Sequence, residues 1–267
     1  MKSRRVNKGI SLLNFDGTLQ KQSLLRSYPV EWIDFSDLQS CYGYCSMDSL
    51  RKIQKRLKER KHKRITLIGN GNYHYVTYVL LSEIREPFSL LLFDHHTDLA
   101  PKADIPYISC GSWVSAAVSK LPLLKHVVII GVHERNSRQT SAVPDNVTVI
   151  TEQEVIRSSA AELVQAIREA AGDDPLYISV DKDVLDPENA VTNWDQGSMT
   201  LRQLLDVIRL LKRTYPLAGV DICGELPLSP VDLLSGERRR QLKKNEIANK
   251  AIIDVLLAEG TSKSVSA

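Results

Sequence analysis

The strongest constraint on the fold is the alternation of short apolar runs with longer amphipathic stretches along most of the chain. The apolar runs predict strands at 10–15, 65–68, 89–93, 127–130, 147–150, 176–180 and 217–222. The stretches between them predict helices at 46–61, 75–83, 111–120, 152–171, 200–212 and 237–257. Because strands that alternate with helices form βαβ units, we predict an α/β fold with a mostly parallel sheet covered by helices on both faces.

The chain has 267 residues and shows neither an internal repeat nor a linker rich in proline, glycine or serine. We therefore predict a single domain over residues 1–260 and expect the tail, residues 261–267, to be disordered. Hydrophobic residues make up 43% and charged residues 25%, as is typical of a soluble globular protein. A net charge of +3 is too small to indicate nucleic-acid binding. No apolar run approaches the roughly 18 residues of a membrane span.

The cellular compartment is predicted from the cysteines and the first residues. The four cysteines, at 41, 45, 110 and 223, have a spacing that matches no zinc knuckle, so we expect free thiols in a reducing compartment. The sequence MKSRRVNKG leads into a strand-like segment without the pattern of a secretory leader. We therefore expect a cytoplasmic protein.

Candidate metal ligands follow the apolar run LLLF at 90–93. Asp94, His96 and Asp98 occupy every second position, and in extended backbone such side chains share one face. Parallel sheets bind ligands at the carboxyl ends of their strands. The spacing therefore predicts three ligands that converge at a strand end, with His95 on the other face.

A second acidic cluster follows the apolar run at 176–180. Asp181 and Asp183 are expected to share one face, and two close carboxylates repel each other unless a cation lies between them. Each segment alone is also typical of a helix cap or an Asx turn. Two such clusters at two strand ends favour a metal site.

A histidine completes the predicted donor set. His74 follows the predicted strand at 65–68 and a glycine-containing turn, from which it can reach the same cleft. Carboxylates with a minority of imidazoles suit Mn²⁺ or a similar first-row ion. Since six side chains exceed the usual ligands of one ion, we predict a pair of divalent ions that activates a water for hydrolysis. The predicted ligands are His74, Asp94, His96, Asp98, Asp181 and Asp183.

Four segments together resemble the ureohydrolase family of arginases, agmatinases and formiminoglutamases. The family signatures read roughly GGDH, DAHxD and SxDxDxxDP, followed by a late acidic residue after a GxD strand. The corresponding segments here are GNYH at 71–74, DHHTD at 94–98, SVDKDVLDP at 179–187 and GVDICGE at 219–225. The resemblance implies a three-layer αβα sandwich around an eight-stranded parallel sheet and a cluster of two Mn²⁺.

The resemblance also implies ligand sets and a reaction. One ion would be held by His74, Asp94, Asp98 and Asp181, and the other by Asp94, His96, Asp181 and Asp183. Glu225 would hold a small cationic guanidine or amidine substrate, and the catalytic residues would be Asp98 and Glu225. A hydroxide that bridges the ions would attack the central carbon and release an amine. The family also implies a homo-oligomer, either a trimer or a hexamer.

The sequence departs from the family pattern in four places. Tyr73 replaces an acidic residue and His95 replaces a small one. Glu225 stands one position late, which requires a bulge if it is to reach the substrate. The loop after Asp98 lacks the histidine that shuttles protons in many members.

Two tryptophans fall in loops at the expected edge of the site, although each alone is more typical of a core residue. The face of a tryptophan attracts a guanidinium or ammonium group, and a neighbouring carboxylate would add a charge. We therefore predict that Trp113, Trp194 and Asp195 contribute to substrate binding.

Two other functions remain open from the sequence. A deacetylase would share the fold, but it would carry a single zinc held by two aspartates and one histidine. A non-catalytic homologue would bind a ligand without turnover, consistent with the displaced Glu225 and the missing histidine. An unneeded buried charge cluster would be costly to keep, which argues against the second alternative.

Overall fold

Eight parallel strands form the central sheet of the computed structural model, which describes residues 9–101, 106–135 and 143–258. Their order across the sheet is β2-β1-β4-β10-β9-β5-β7-β8, and β3 pairs with β6 in a separate antiparallel ribbon. The predicted tail, residues 261–267, lies outside the described residues. In chain order the strands are β1 Ile10–Asn14, β2 Val30–Asp34, β3 Tyr44–Ser46, β4 Ile65–Leu67, β5 Phe88–Phe93, β6 Tyr107–Ser109, β7 Leu124–Val132, β8 Val147–Thr151, β9 Leu176–Asp181 and β10 Leu217–Cys223.

Helices cover both faces of the sheet and give it three layers. Side chains alternate between two cores: Leu90 and Leu92 face one, whereas Leu91 and Phe93 face the other. The first core contains residues of α1 to α3, and the second contains residues of α4 to α7. The helices are α1 Met47–Lys58, α2 Val76–Leu81, α3 Trp113–Lys120, α4 Glu152–Arg157, α5 Ala160–Ala171, α6 Leu201–Thr214 and α7 Gly236–Leu257. The predicted αβα sandwich is confirmed.

Two elements differ from the prediction. The helix expected at 152–171 is divided, because Thr151 and Ser159 each begin a helix with a complete capping box. Strand β2 was not predicted. It lies at the edge of the sheet, where its neighbour is β1, and its residues are half-buried or exposed. Its sequence VEWID therefore lacks the apolar run of a strand that is covered on both faces.

The two central strands β5 and β9 place their carboxyl ends side by side. Every residue of both strands is buried, which explains why their sequences are mostly apolar. Phe93 of β5 is level with Val180 of β9, and Cys223 of β10 is level with Asp181. The residues that follow Phe93 and Val180 therefore meet at one edge of the sheet. Within the described residues, no helix is long and apolar enough to cross a membrane.

Candidate metal centre

A tight turn, rather than extended backbone, gathers the ligands after β5. The carboxylate of Asp94 accepts a hydrogen bond from the backbone nitrogen of His96 at 2.7 Å. Asp98 adopts a left-handed conformation with φ of 51°. The three predicted side chains converge, but the strand alternation assumed from the sequence ends at Asp94. After β9, Asp181 similarly caps a short 3₁₀ turn by accepting from the backbone nitrogen of Asp183 at 3.1 Å.

The first group of donors surrounds His74. Its Nδ1 lies 3.3 Å from Asp94 Oδ2, 3.4 Å from Asp98 Oδ2 and 3.3 Å from Asp181 Oδ2. Donors that share one tetrahedral ion at about 2.1 Å lie roughly 3.4 Å apart. The spacing therefore fits one divalent ion. Cys223 donates its thiol hydrogen to Asp181 Oδ2 at 3.1 Å and adds a further partner on that side.

The second group surrounds His96 and shares Asp94 with the first. His96 Nδ1 lies 2.9 Å from Asp183 Oδ2 and 3.4 Å from Asp94 Oδ1. Asp94 thus presents one carboxylate oxygen to His74 and the other to His96. This arrangement gives Asp94 the geometry of a bridging ligand. Asp181 belongs to the His74 group through its Oδ2. Its Oδ1 accepts a hydrogen bond from the backbone nitrogen of Asp183.

The electrostatics of the cluster favour added positive charge. Burial raises the pKa of Asp98 well above its ordinary value, and the negative charge of Asp94 raises it further. Burial also raises the pKa of Asp183. Burial of His96 disfavours its charged form, but hydrogen bonds with Asp183 and Asp94 outweigh this and raise its pKa to about 12. Asp98, Asp183 and His96 therefore favour their protonated forms, and bound divalent ions would replace those protons. The donor set fits two such ions.

Two buried groups orient the ligands. Trp113 is fully buried, and its indole nitrogen donates to Asp98 Oδ2 at 2.5 Å. This corrects the expectation that Trp113 offers its face to substrate, because the ring has no exposed surface. His74 Nε2 lies 3.0 Å from Ser179 Oγ, which donates to Asp221 Oδ1 at 2.7 Å. The sequence analysis assigned no role to Ser179 or Asp221. Their signal was a polar residue inside each of two apolar strands.

A cavity of about 870 Å³ opens onto the two groups. Trp194 lines it and is 42% exposed. Asp195 is exposed and is not among the described lining residues, and its part in substrate binding stays a prediction. The ring of His95 faces away from the cavity toward Gly131 O, 3.3 Å from its Nδ1.

Comparison with known proteins identifies the family of this chain. The model of the arginase family matches residues 8–229. The chain belongs to the arginase family. This family membership agrees with the resemblance in the four sequence segments and with the donor groups around His74 and His96.

Proteins from several organisms resemble the chain at low identity. An uncharacterized protein of Thermotoga maritima is 28% identical over 251 residues, which cover 94% of this chain and 90% of that protein. The agmatinase of Chromobacterium violaceum is 28% identical over 217 residues, 76% of this chain and 66% of the agmatinase. The match thus spans less than two thirds of that agmatinase. The crystal structure of arginase from Bacillus subtilis superposes with a TM-score of 0.67 at 16% identity, covering 94% of this chain and 98% of that one.

Glu225 departs from the role that the family resemblance implies. It is 2% exposed and is not among the described residues that line the cavity. Its carboxylate pairs with buried Lys182 and accepts from Asn249 Nδ2 at 2.6 Å and from Gln22 Nε2 at 2.7 Å. Gly224, with φ of 84°, turns the chain before it. The expectation that Glu225 holds a cationic substrate is corrected, because Lys182 already neutralises it.

Proposed function

We propose that this chain is a hydrolase of linear C–N bonds in guanidines or amidines that depends on two divalent metal ions. The observation that carries the proposal is the carboxylate of Asp94, which presents its two oxygens to two separate histidines. One ion would lie between His74, Asp94, Asp98 and Asp181. The other would lie between Asp94, His96 and Asp183, with Asp181 as a second bridge.

A bound pair of divalent ions would lower the pKa of a water and so supply the nucleophile for hydrolysis. The chain's own residues orient the donors around it. Ser179 fixes the ring of His74 so that Nδ1 faces the cavity. Trp113 fixes Asp98, and an outer partner of this kind sets ligand geometry and affinity.

Asp98 is the proposed proton carrier. It lines the cavity and is 8% exposed, so its carboxylate lies at the surface that the reacting groups would contact. A carboxylate in this position suits transfer of a proton from the attacking water to the leaving nitrogen. Water and a guanidine would then give urea and an amine.

We further propose manganese as the metal, since four carboxylates outnumber two imidazoles in the donor set. The family resemblance supports a homo-oligomer, either a trimer or a hexamer. The four cysteines are free, which supports a reducing compartment and the expected cytoplasmic location.

The test is release of urea or ammonia from a panel of guanidines and amidines by protein loaded with Mn²⁺. Asp183→Asn, which removes a ligand of the His96 group, should lower turnover at least about a hundredfold. Asp206→Asn, at a side chain that is 40% exposed on α6 and outside the cavity lining, serves as the matched control and should leave turnover unchanged. Hydrolysis of acetylated amines alone would replace the proposal with a deacetylase.

A further inference from the structure

We propose that the substrate carries an uncharged aromatic group, bound by Tyr42, Tyr44 and Trp194 at the mouth of the cavity. The inference rests on the proposed function and specifies the substrate class of the same site. The reacting group would be a guanidine or amidine, and its substituent an aryl or arylalkyl chain rather than an amino acid or a diamine.

The charge of the cavity wall argues for a neutral substituent. Among the described residues that line the cavity, every aspartate and every histidine is one of the six proposed metal ligands. The described lining contains neither lysine nor arginine for a carboxylate, and the displaced Glu225 is paired inside the protein. The zwitterionic end of an amino acid would therefore leave water without a charged partner on this wall, which is costly.

The first aromatic contribution comes from a stack of rings below the cavity mouth. Phe15 and Tyr73 stack with centroids 4.2 Å apart, and the ring of Tyr42 meets Tyr73 edge-on at 5.8 Å. Tyr73 stands where the family pattern has an acidic residue. The ring of Tyr73, in place of that acidic residue, therefore packs against Tyr42. Tyr42 is 58% exposed and lines the cavity.

The segment that carries the two tyrosines is tied to the site by its backbone. The nitrogen of Gly43 donates to Asn72 O at 3.2 Å, and the nitrogen of Cys110 donates to Gly43 O at 3.0 Å. Tyr44 belongs to the ribbon of β3 and β6, where it pairs with Ser109. Tyr42 and Tyr44 are therefore presented on anchored backbone, so binding would have their side chains to order but not the segment that carries them.

The second aromatic contribution is Trp194, which lies directly beside the proposed ligands. Its ring centroid is 5.8 Å from that of His96. A Cβ at Gly71 would lie 3.3 Å from Trp194 Cδ1, so the glycine leaves room for the indole at this place. Thr192 Oγ1 accepts from the Trp194 backbone at 3.2 Å and holds the loop. An aromatic substituent on the reacting group would meet this ring first.

Neighbouring side chains extend the same chemistry. Leu99, Ala100 and Pro101 also line the cavity, so apolar surface continues from the aromatic rings. Aromatic rings bind other rings by stacking or edge contacts in addition to burying area. Cation–π attraction at exposed rings is worth only about 0.5–1 kcal/mol.

The experiment compares four guanidines on protein loaded with Mn²⁺: phenethylguanidine, agmatine, arginine and methylguanidine. We expect kcat/KM for phenethylguanidine to exceed that for agmatine and arginine by about tenfold or more. Trp194→Ala should remove most of this preference, whereas Trp194→Phe should retain it. The matched control is Trp32→Ala, at a residue that is 43% exposed on β2 and outside the cavity lining.

The outcomes separate this inference from the proposed function. Preference for agmatine or arginine would overturn the aromatic substituent and leave the guanidine hydrolase standing. If none of the four is hydrolysed, the proposed function fails, and calorimetry of phenethylguanidine binding decides the inference. Binding weakened about tenfold by Trp194→Ala, but not by Trp32→Ala, would support it. Absent binding, or equal binding in the two variants, would overturn it.

Discussion

Replacing Lys182 with methionine would leave the carboxylate of Glu225 buried without its cation. Lys182 is fully buried and Glu225 is 2% exposed. Removal of one partner from a buried ion pair costs roughly 3–5 kcal/mol. We expect about 3 kcal/mol, at the low end of this range, because Asn249 and Gln22 still donate to the carboxylate. In a chain of this length the loss corresponds to a decrease in Tm of at least about 6 °C.

Urea denaturation of the metal-loaded protein measures this cost, and Arg51→Met is the matched control. Arg51 pairs with Asp48 in the open, with side chains 70% and 84% exposed, so its loss should change stability by less than about 0.5 kcal/mol. The double variant Lys182→Met/Glu225→Gln should be more stable than Lys182→Met alone, because it removes both charges. Equal stability of Lys182→Met and Arg51→Met would refute the buried pair. If Glu225→Gln leaves the stability unchanged and raises KM for a guanidine, Glu225 binds substrate after all.

Three further predictions concern the metal centre. Trp113→Phe removes the hydrogen bond to Asp98 and should weaken Mn²⁺ binding about tenfold in calorimetry, with Tm of the metal-free protein little changed. Gly224→Ala places a Cβ against Asp181 Oδ1 at a φ of 84°, so it should lower stability by about 2 kcal/mol or more in urea denaturation. In metal-free protein the raised pKa of His96 stabilises the fold. This contribution is full below the unfolded pKa of about 6.5 and is lost as pH rises toward about 12. Mn²⁺ must displace the His96 proton in order to bind, and this becomes easier as pH rises. The increase in Tm caused by Mn²⁺ should therefore be larger at pH 8 than at pH 6.

The sequence predicted the sheet well wherever a strand is covered on both faces. Strands β5 and β9 have mostly apolar runs because both of their faces are buried, and the acidic clusters mark their carboxyl ends. The edge strand β2 has no such run, so periodicity could not separate it from a loop. The division between α4 and α5 depends on capping at Thr151 and Ser159, which hydrophobic spacing does not report.

The candidate site was predicted less evenly. The proposed metal ligands could be predicted because each group follows a strand that the sequence shows, and the carboxyl ends of these strands meet at one edge of the sheet. The roles of Trp113 and Glu225 depend on contacts across the fold that spacing does not contain. Asn249, which donates to Glu225, lies on α7, 24 residues further along the chain. The pairing of Lys182 with Glu225 in the interior is likewise a contact that spacing in the sequence does not report.

The most direct test of the metal centre is anomalous X-ray diffraction at the manganese edge from crystals of protein loaded with Mn²⁺. The proposed centre predicts two peaks about 3.5–4 Å apart, one beside His74 and one beside His96, with Asp94 between them. The peak beside His96 should disappear in Asp183→Asn. A single peak, or no peak at either histidine, would contradict a centre of two metal ions.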